Sequence, residues 1–275
     1  MHSIKDLIKT ALEEDIGPGD ITTDNIVDPE IRGKGIILAK EPLVIAGLET
    51  AGDVFACIDP EVSCRFMFKD GDAVPKDKVV MEIEGRLCAL LKGERTALNF
   101  IQRLSGIATN VRSYVKLLDD EKIRLVDTRK TIPGWRVLEK YAVRVGGAYN
   151  HRMGLYDGVL IKDNHIAACG GIKKAVERVR SRISHLVKIE VEVSDFPSVQ
   201  EALDAKADVI MLDNMDIDRI KEAVAIIGKR ALIEVSGGIT RESLKLFSGS
   251  GVDIISVGAL THSARSMDLS MRIVQ

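Results

Sequence analysis

Ile123-Arg124-Leu125-Val126-Asp127-Thr128-Arg129-Lys130 decides how the chain is read. A short β-rich run gives way at Asp127 to charged residues, and the same change recurs to the end of the sequence. Strand-like runs fall at 123–126, 158–161, 188–193, 209–212, 232–235 and 254–257, with helical spacing near 136–146, 171–183, 197–205, 216–227, 240–248 and 264–274. Strands alternating with helices imply parallel pairing through crossover connections. Six such units predict a barrel or near-barrel, with an open doubly wound sheet as the rival. No GxGxxG follows a strand, which weighs against a dinucleotide-binding sheet. The strand ends favour the barrel. Asp127-Thr128-Arg129-Lys130, Lys162-Asp163-Asn164-His165, Asp213-Asn214, Ser236-Gly237-Gly238 and Gly258-Ala259 follow their strands, while Glu190 and Glu192 alternate with Ile189, Val191 and Val193 in the third. In a parallel barrel that end forms the functional mouth.

The N-terminal part has another rhythm. Ile4, Leu7, Ile8, Ala11 and Leu12 recur at helical spacing, so 4–14 reads as an amphipathic helix. Short strand-like runs follow at 35–40, 43–46, 62–68, 79–83 and 86–91, with a helix at 51–57 and a long helical pattern over 94–118. The expected fold class is therefore α/β: an open α/β (TIM-like) barrel over 113–275 behind an N-terminal α+β sandwich domain over 1–112, the C-terminal tail being free to rejoin that domain.

Bulk properties exclude several classes. The 275 residues carry a net charge of −2, so the chain as a whole is no polyanion or nucleic-acid binder. No apolar run nears the roughly 18 residues a membrane span needs. Charges near the N-terminus occupy the place of a signal peptide's apolar core, which reads as cytoplasmic. Cys57, Cys64, Cys88 and Cys169 form no CxxC pair and read as small buried residues. Trp135 reads as packing.

Between 129 and 165 seven Lys/Arg face three acids. Arg136, Lys140 and Arg144 are spaced four apart on one helix, as on a solvated face. Arg129, Lys130 and Lys162 directly follow strands, where Arg suits bidentate capture of carboxylate or phosphate and Lys supplies a point charge. His151 and His165 add donors. Glu192 and Asp213, on adjacent strands, suit water-linked Mg²⁺, a sugar diol, or balance of the basic cluster. The loops Ser236-Gly237-Gly238-Ile239-Thr240 and Val257-Gly258-Ala259 let backbone N–H groups approach a phosphate, which barrels often bind after their last two strands.

Longer motifs carry a resemblance. Asp127-Thr128-Arg129-Lys130-Thr131-Ile132-Pro133-Gly134, Leu138-Glu139-Lys140-Tyr141-Ala142-Val143, Gly146-Gly147, Asn150-His151-Arg152 and Leu160-Ile161-Lys162-Asp163-Asn164-His165 resemble the quinolinate phosphoribosyltransferases. So do Glu14-Asp15-Ile16-Gly17-Pro18-Gly19-Asp20-Ile21-Thr22, Glu94-Arg95-Thr96-Ala97-Leu98-Asn99, Glu190-Val191-Glu192-Val193 and Asp213-Asn214. Ile132 and Ala148 depart from the pattern, where Thr and Gly are usual. The resemblance implies a sandwich domain joined to an open barrel, in a homodimer or higher homo-oligomer. It also implies transfer of phosphoribosyl from phosphoribosyl pyrophosphate to quinolinate, with loss of pyrophosphate and CO₂ and formation of nicotinate mononucleotide. Carried over by residue, Arg129, His151, Arg152 and Lys162 hold the quinolinate carboxylates, with Arg95 added from a partner subunit. Lys130 faces the pyrophosphate, and Glu192 and Asp213 bind ribose hydroxyls and water-linked Mg²⁺. Ser236, Gly237, Gly238, Gly258 and Ala259 cradle the 5′-phosphate. Lys130, Lys162, Glu192 and Asp213 are the expected catalytic residues, Mg²⁺ the cofactor, and no protein side chain ligates it directly. The rivals are a relative with another acceptor, a different phosphate-binding barrel, and a metabolite sensor on an enzyme scaffold.

Overall fold

A computed structural model describes residues 3–274. They form two compact units. One takes the chain up to Arg112, then Ile132–Gly147, then the residues from Ser263 on; the other takes Ser113–Thr131 and Ala148–His262. The chain thus passes between units four times, where the sequence suggests one boundary after 112 and a tail free to rejoin the first domain.

The first unit opens with α1 (Ile4–Ile16). Its N-cap is Ser3, whose hydroxyl accepts from Asp6 N while Asp6 accepts from Ser3 N. This reciprocal box satisfies N–H groups that a helix start leaves unpaired. Ile8 and Leu12 are its buried residues. After α2 (Thr23–Ile26) come β1 (Arg32–Ala39), β2 (Leu43–Val44), α3 (Leu48–Ile58), β3 (Ser63–Phe66), β4 (Ala73–Val74) and β5 (Val79–Arg86). β1 pairs antiparallel with β5, β5 with β3, and β2 with β4. The strand expected over 86–91 does not form. α4 (Leu87–Leu118) starts there instead, because Leu87-Cys88-Ala89-Leu90-Leu91 is rich in good helix formers.

The second unit begins in the last turns of α4 and continues with β6 (Arg124–Val126). The chain then returns to the first unit for α5 (Arg136–Gly146). The reason is local: buried Glu139 on α5 receives two hydrogen bonds from Arg103 of α4, at 3.0 and 2.6 Å. Nearby, Trp135 stacks on Phe100 at 4.7 Å, so the tryptophan does pack.

Back in the second unit, β7 (Val159–Ile161), β8 (Ile189–Val193), β9 (Val209–Asp213), β10 (Leu232–Ser236) and β11 (Ile254–Ser256) alternate with α6 (Asp163–Cys169), α7 (Ile172–Arg180), α8 (Phe196–Asp204), α9 (Ile217–Ile227) and α10 (Arg241–Leu244). α11 (Ala259–His262) closes it. All pairings among these six strands are parallel, in the order β6-β11-β10-β9-β8-β7. Every strand from β7 to β11 adjoins its successor, and the last adjoins the first. That is the closure of a barrel with one open joint, between β6 and β7. A bridge from Val126 to Tyr149 runs the intervening segment alongside β6.

The tail corrects one expectation. Residues 264–274 are not a helix. β12 (Leu269–Val274) pairs antiparallel with β1, from Lys34↔Val274 to Ala39↔Leu269, and joins the first unit's sheet, ordered β12-β1-β5-β3. Leu269 and Met271 are buried with Ser270 half-exposed between them, a period of two. The chain leading into β12 lies hard against α4. Met267 N donates to Gln102 O at 3.0 Å, and a Cβ on Gly106 would sit 1.9 Å from Arg265 O. Gly106→Ala is therefore expected to destabilise by about 3 kcal/mol or more, read as a fall in denaturation midpoint. An unchanged midpoint would show that the tail yields.

Two other expectations change. Lys140 is fully buried and Arg136 half-buried, leaving Arg144 alone on a solvated surface. Beside Lys140 in mid-helix α5 buries Leu138, Glu139, Ala142 and Val143, so spacing of four does not keep that face wet. The cysteines are free but not buried cores: Cys57 is exposed and the other three are half-buried. No helix among the described residues is long and apolar enough to cross a membrane.

Candidate active site

The strand ends place the functional side chains. Asp127, wholly buried at the end of β6, accepts from His151 N at 2.9 Å and from Asn150 Nδ2 at 2.7 Å. It thereby pins the 150–152 segment along the open joint. Arg152 Nη1 donates to Gly158 O at 3.0 Å. Burial pushes the Arg152 pKa down, and the charge of Arg129 pushes it the same way. Two guanidiniums near enough to feel each other are costly unless an anion joins them. Lys162, where β7 ends, is paired with Glu192 of β8. Lys162 N donates to His165 Nδ1 at 3.0 Å, so His165 staples the start of α6. The His151 ring accepts from Arg152 N at Nδ1, 2.7 Å, and lies 3.1 Å from Glu190 Oε2 at Nε2.

The other half of the mouth is built on glycine. Asn214 follows β9 in a left-handed conformation, φ 54°, donates to Ser236 O from its backbone at 3.0 Å, and holds Asp213 Oδ2 with its amide at 2.7 Å. Gly237 has φ 88°, and a Cβ there would meet Asn214 Oδ1 at 2.2 Å. Only glycine fits, on both counts. The turn after β10 therefore stays bare backbone, running Ser236-Gly237-Gly238. Lys130 belongs to the same half. Its carbonyl accepts from Thr261 Oγ1 at 2.7 Å, and its Cδ would be 2.9 Å from a Cβ on Gly258. Its stem thus crosses the Gly258-Ala259 loop.

The barrel so brings Arg129, Lys130, His151, Arg152, Lys162, Glu192, Asp213, Ser236, Gly237, Gly238, Gly258 and Ala259 into one unit. Arg95 is an exposed residue of α4 in the other. The sequence reading gave no role to Asp127, Glu190, Glu234 or Thr261. A lone acid inside the apolar run Leu232-Ile233-Glu234-Val235 was the available signal for Glu234, since a parallel barrel strand is buried on both faces.

The parallel barrel and its two-sided mouth define an α/β-barrel enzyme for polyanionic substrates. The comparisons with known proteins narrow this. A model of the quinolinate phosphoribosyl transferase N-terminal domain matches residues 20–105, and that of the C-terminal domain matches 107–272. The chain belongs to the quinolinate phosphoribosyltransferase family. It is 48% identical over 270 residues to a probable nicotinate-nucleotide pyrophosphorylase (carboxylating) of Bacillus subtilis, covering 98% of this chain and 93% of that one. Among solved structures it is similar to NadC from Streptococcus pyogenes, at TM-score 0.95, 44% identity and coverage of 98% and 96%. It is also similar to the nicotinate-nucleotide pyrophosphorylase from Francisella tularensis, at TM-score 0.94, 41% identity and coverage of 98% and 96%.

Proposed function

We propose that the protein transfers phosphoribosyl from phosphoribosyl pyrophosphate to quinolinate, releasing pyrophosphate and CO₂ and leaving nicotinate mononucleotide, a step of NAD biosynthesis. The observation that carries this is Arg129 and Arg152, near enough for one charge to act on the other, with Lys162 after β7 on the other edge of the open joint, a cationic set suited to a dicarboxylate. Relatives over nearly the whole chain bear the name of this activity.

No covalent nucleophile is required. Arg129, Arg152 and Lys162 orient the pyridine so that its nitrogen faces the ribose C1, and positioning supplies much of the rate. His151 supports Arg152 through its backbone. The N–C1 bond forms as the C1–O bond to pyrophosphate breaks, and the departing group takes the electron pair. Lys130 meets the charge growing there, while Glu192 and Asp213 face the ribose hydroxyls and its positive character. Ser236, Gly237, Gly238, Gly258 and Ala259 hold the 5′-phosphate with backbone N–H groups. After N-alkylation the pyridinium accepts the electron pair left by CO₂, and C2 then takes a proton.

Glu192 and Asp213 offer hard oxygen donors but are already held, by Lys162 and by the Asn214 amide. They fit Mg²⁺ that arrives on the donor's phosphates and touches them through water, rather than a caged ion. When bound, Mg²⁺ neutralises charge on the leaving pyrophosphate.

The deciding assay supplies quinolinate, phosphoribosyl pyrophosphate and Mg²⁺ and looks for nicotinate mononucleotide and CO₂. Product from nicotinate but none from quinolinate would reject the reading. Arg95, exposed on α4, is assigned to the mouth of a second copy in a homodimer. Mixing and refolding Arg95→Ala with Asp213→Ala, each nearly inactive alone, should then restore roughly a quarter of native activity, because half the dimers are mixed and each holds one intact site. No recovery would place Arg95 in its own chain's site or outside it.

A further inference from the structure

Three titratable side chains meet below the mouth, and two of them, Glu190 and Glu234, have no part in the reaction just described. Glu190 of β8 and Glu234 of β10 are both buried, with the His151 ring against them. His151 Nε2 is 3.1 Å from Glu190 Oε2 and 3.6 Å from Glu234 Oε1, and the three side chains' ligand-type atoms all lie within 4.8 Å of one another. Glu190 Oε1 and Glu234 Oε1 have no hydrogen-bond partner.

Such a trio invites a metal ion, but the imidazole argues otherwise. His151 Nδ1 accepts the Arg152 N–H at 2.7 Å. A neutral ring then carries its proton on Nε2, the atom that would have to bind the metal. Two buried carboxylates this close do not both ionise. Burial first, and the charge of Glu190 second, push Glu234 up to about 8. A proton held by the pair turns one orphaned oxygen into a donor.

We propose that Glu190 and Glu234 are positioning residues of the quinolinate site: sharing one proton, they hold His151 as the Nε2–H tautomer, and His151 through Nδ1 holds the backbone from which Arg152 reaches the substrate. This rests on the phosphoribosyl-transfer reading. The charged groups beside the trio are Arg152 and Asp157 from the segment before β7, Arg124 and Lys188 at the starts of β6 and β8, and Asp127 just after β6, which holds the His151 N–H. A cavity of about 500 Å³ there is lined by Arg124, Tyr149 and Lys188, with Glu190 and Glu234 also on its wall.

Above about pH 8 the pair gives up its proton to solvent, two negative charges then face a single Nε2–H, and their repulsion displaces the ring and loosens its Nδ1 hold on the Arg152 N–H. Glu234→Gln keeps the shape and a donor but cannot ionise. The test follows both Michaelis constants from pH 6.5 to 9.5. The native enzyme's quinolinate KM should rise about tenfold on the alkaline side, the Glu234→Gln KM should stay flat, and the donor KM should be alike in both. Coincident quinolinate profiles, or a parallel rise in donor KM, would overturn the proposal. Should the variant not fold, the ¹⁵N resonances of His151 in the native protein serve instead. An Nε2–H tautomer at pH 7 supports the proposal, and an imidazolium or Nδ1–H tautomer overturns it. The resonance measurement needs no turnover, so it separates failure of this proposal from failure of the assigned reaction.

Discussion

Asp213→Ala is expected to lower kcat by about 10²–10³-fold, the scale of losing one preorganised electrostatic group, with quinolinate KM nearly unchanged. Asp213 ends β9 opposite Ser236 of β10, on the glycine-built side of the mouth and away from the arginine pair. Removing it strips the ribose side and leaves the carboxylate side intact. Glu192→Ala should cost turnover on the same scale, but its effect on quinolinate differs. Glu192 is the partner of Lys162, so its loss frees a cation for the substrate carboxylates, and quinolinate KM should hold or fall. Steady-state kinetics in both substrates reads this directly. Native turnover in either variant would remove that residue from the chemistry.

Arg129→Ala is expected to raise quinolinate KM by about 10- to 150-fold, the equivalent of one charge-assisted hydrogen bond at roughly 1.5–3 kcal/mol, and to leave donor KM close to native. The asymmetry follows from placement. Arg129 lies near enough to Arg152 to lower its pKa, and the two are assigned to one dianion. The donor's phosphates are assigned instead to the loops after β10 and β11. A matched loss of affinity for both substrates would contradict the division of the mouth. The quinolinate effect should shrink as salt rises, since Arg129 is exposed.

Much of this was legible in the sequence because barrel strands announce their ends. The six parallel strands, and the charged or glycine residues that follow them, could be placed from periodicity and turn chemistry alone. Pairing across the fold could not. Lys140 looks solvated by spacing and is buried, because the packing that covers mid-helix α5 comes from chain far away in sequence. The 264–274 stretch carries enough apolar residues to fit a helical period, and only the exposed edge of β1 makes it a strand. Glu234 does not stand out in the sequence, because an acid within an apolar run reads as an exception until Glu190 and His151 are seen beside it. Asp127 stood in a recognised motif without a role, since its work is to hold Asn150 and His151, twenty-odd residues on.

The pairing of Lys34 with Val274 also sets an order of assembly. The barrel strands from β7 to β11 can pair as they emerge, each with a recent neighbour, and only β6 waits for β11. β1 has to wait for the final residues. At ~5–20 residues per second of synthesis, its outer edge stays bare for roughly ten seconds or more. An unpaired edge of that kind is a template for strands of other chains. The earliest-made sheet is thus among the last completed, and a newborn chain is exposed to aggregation along β1, in the unit that does not hold the barrel.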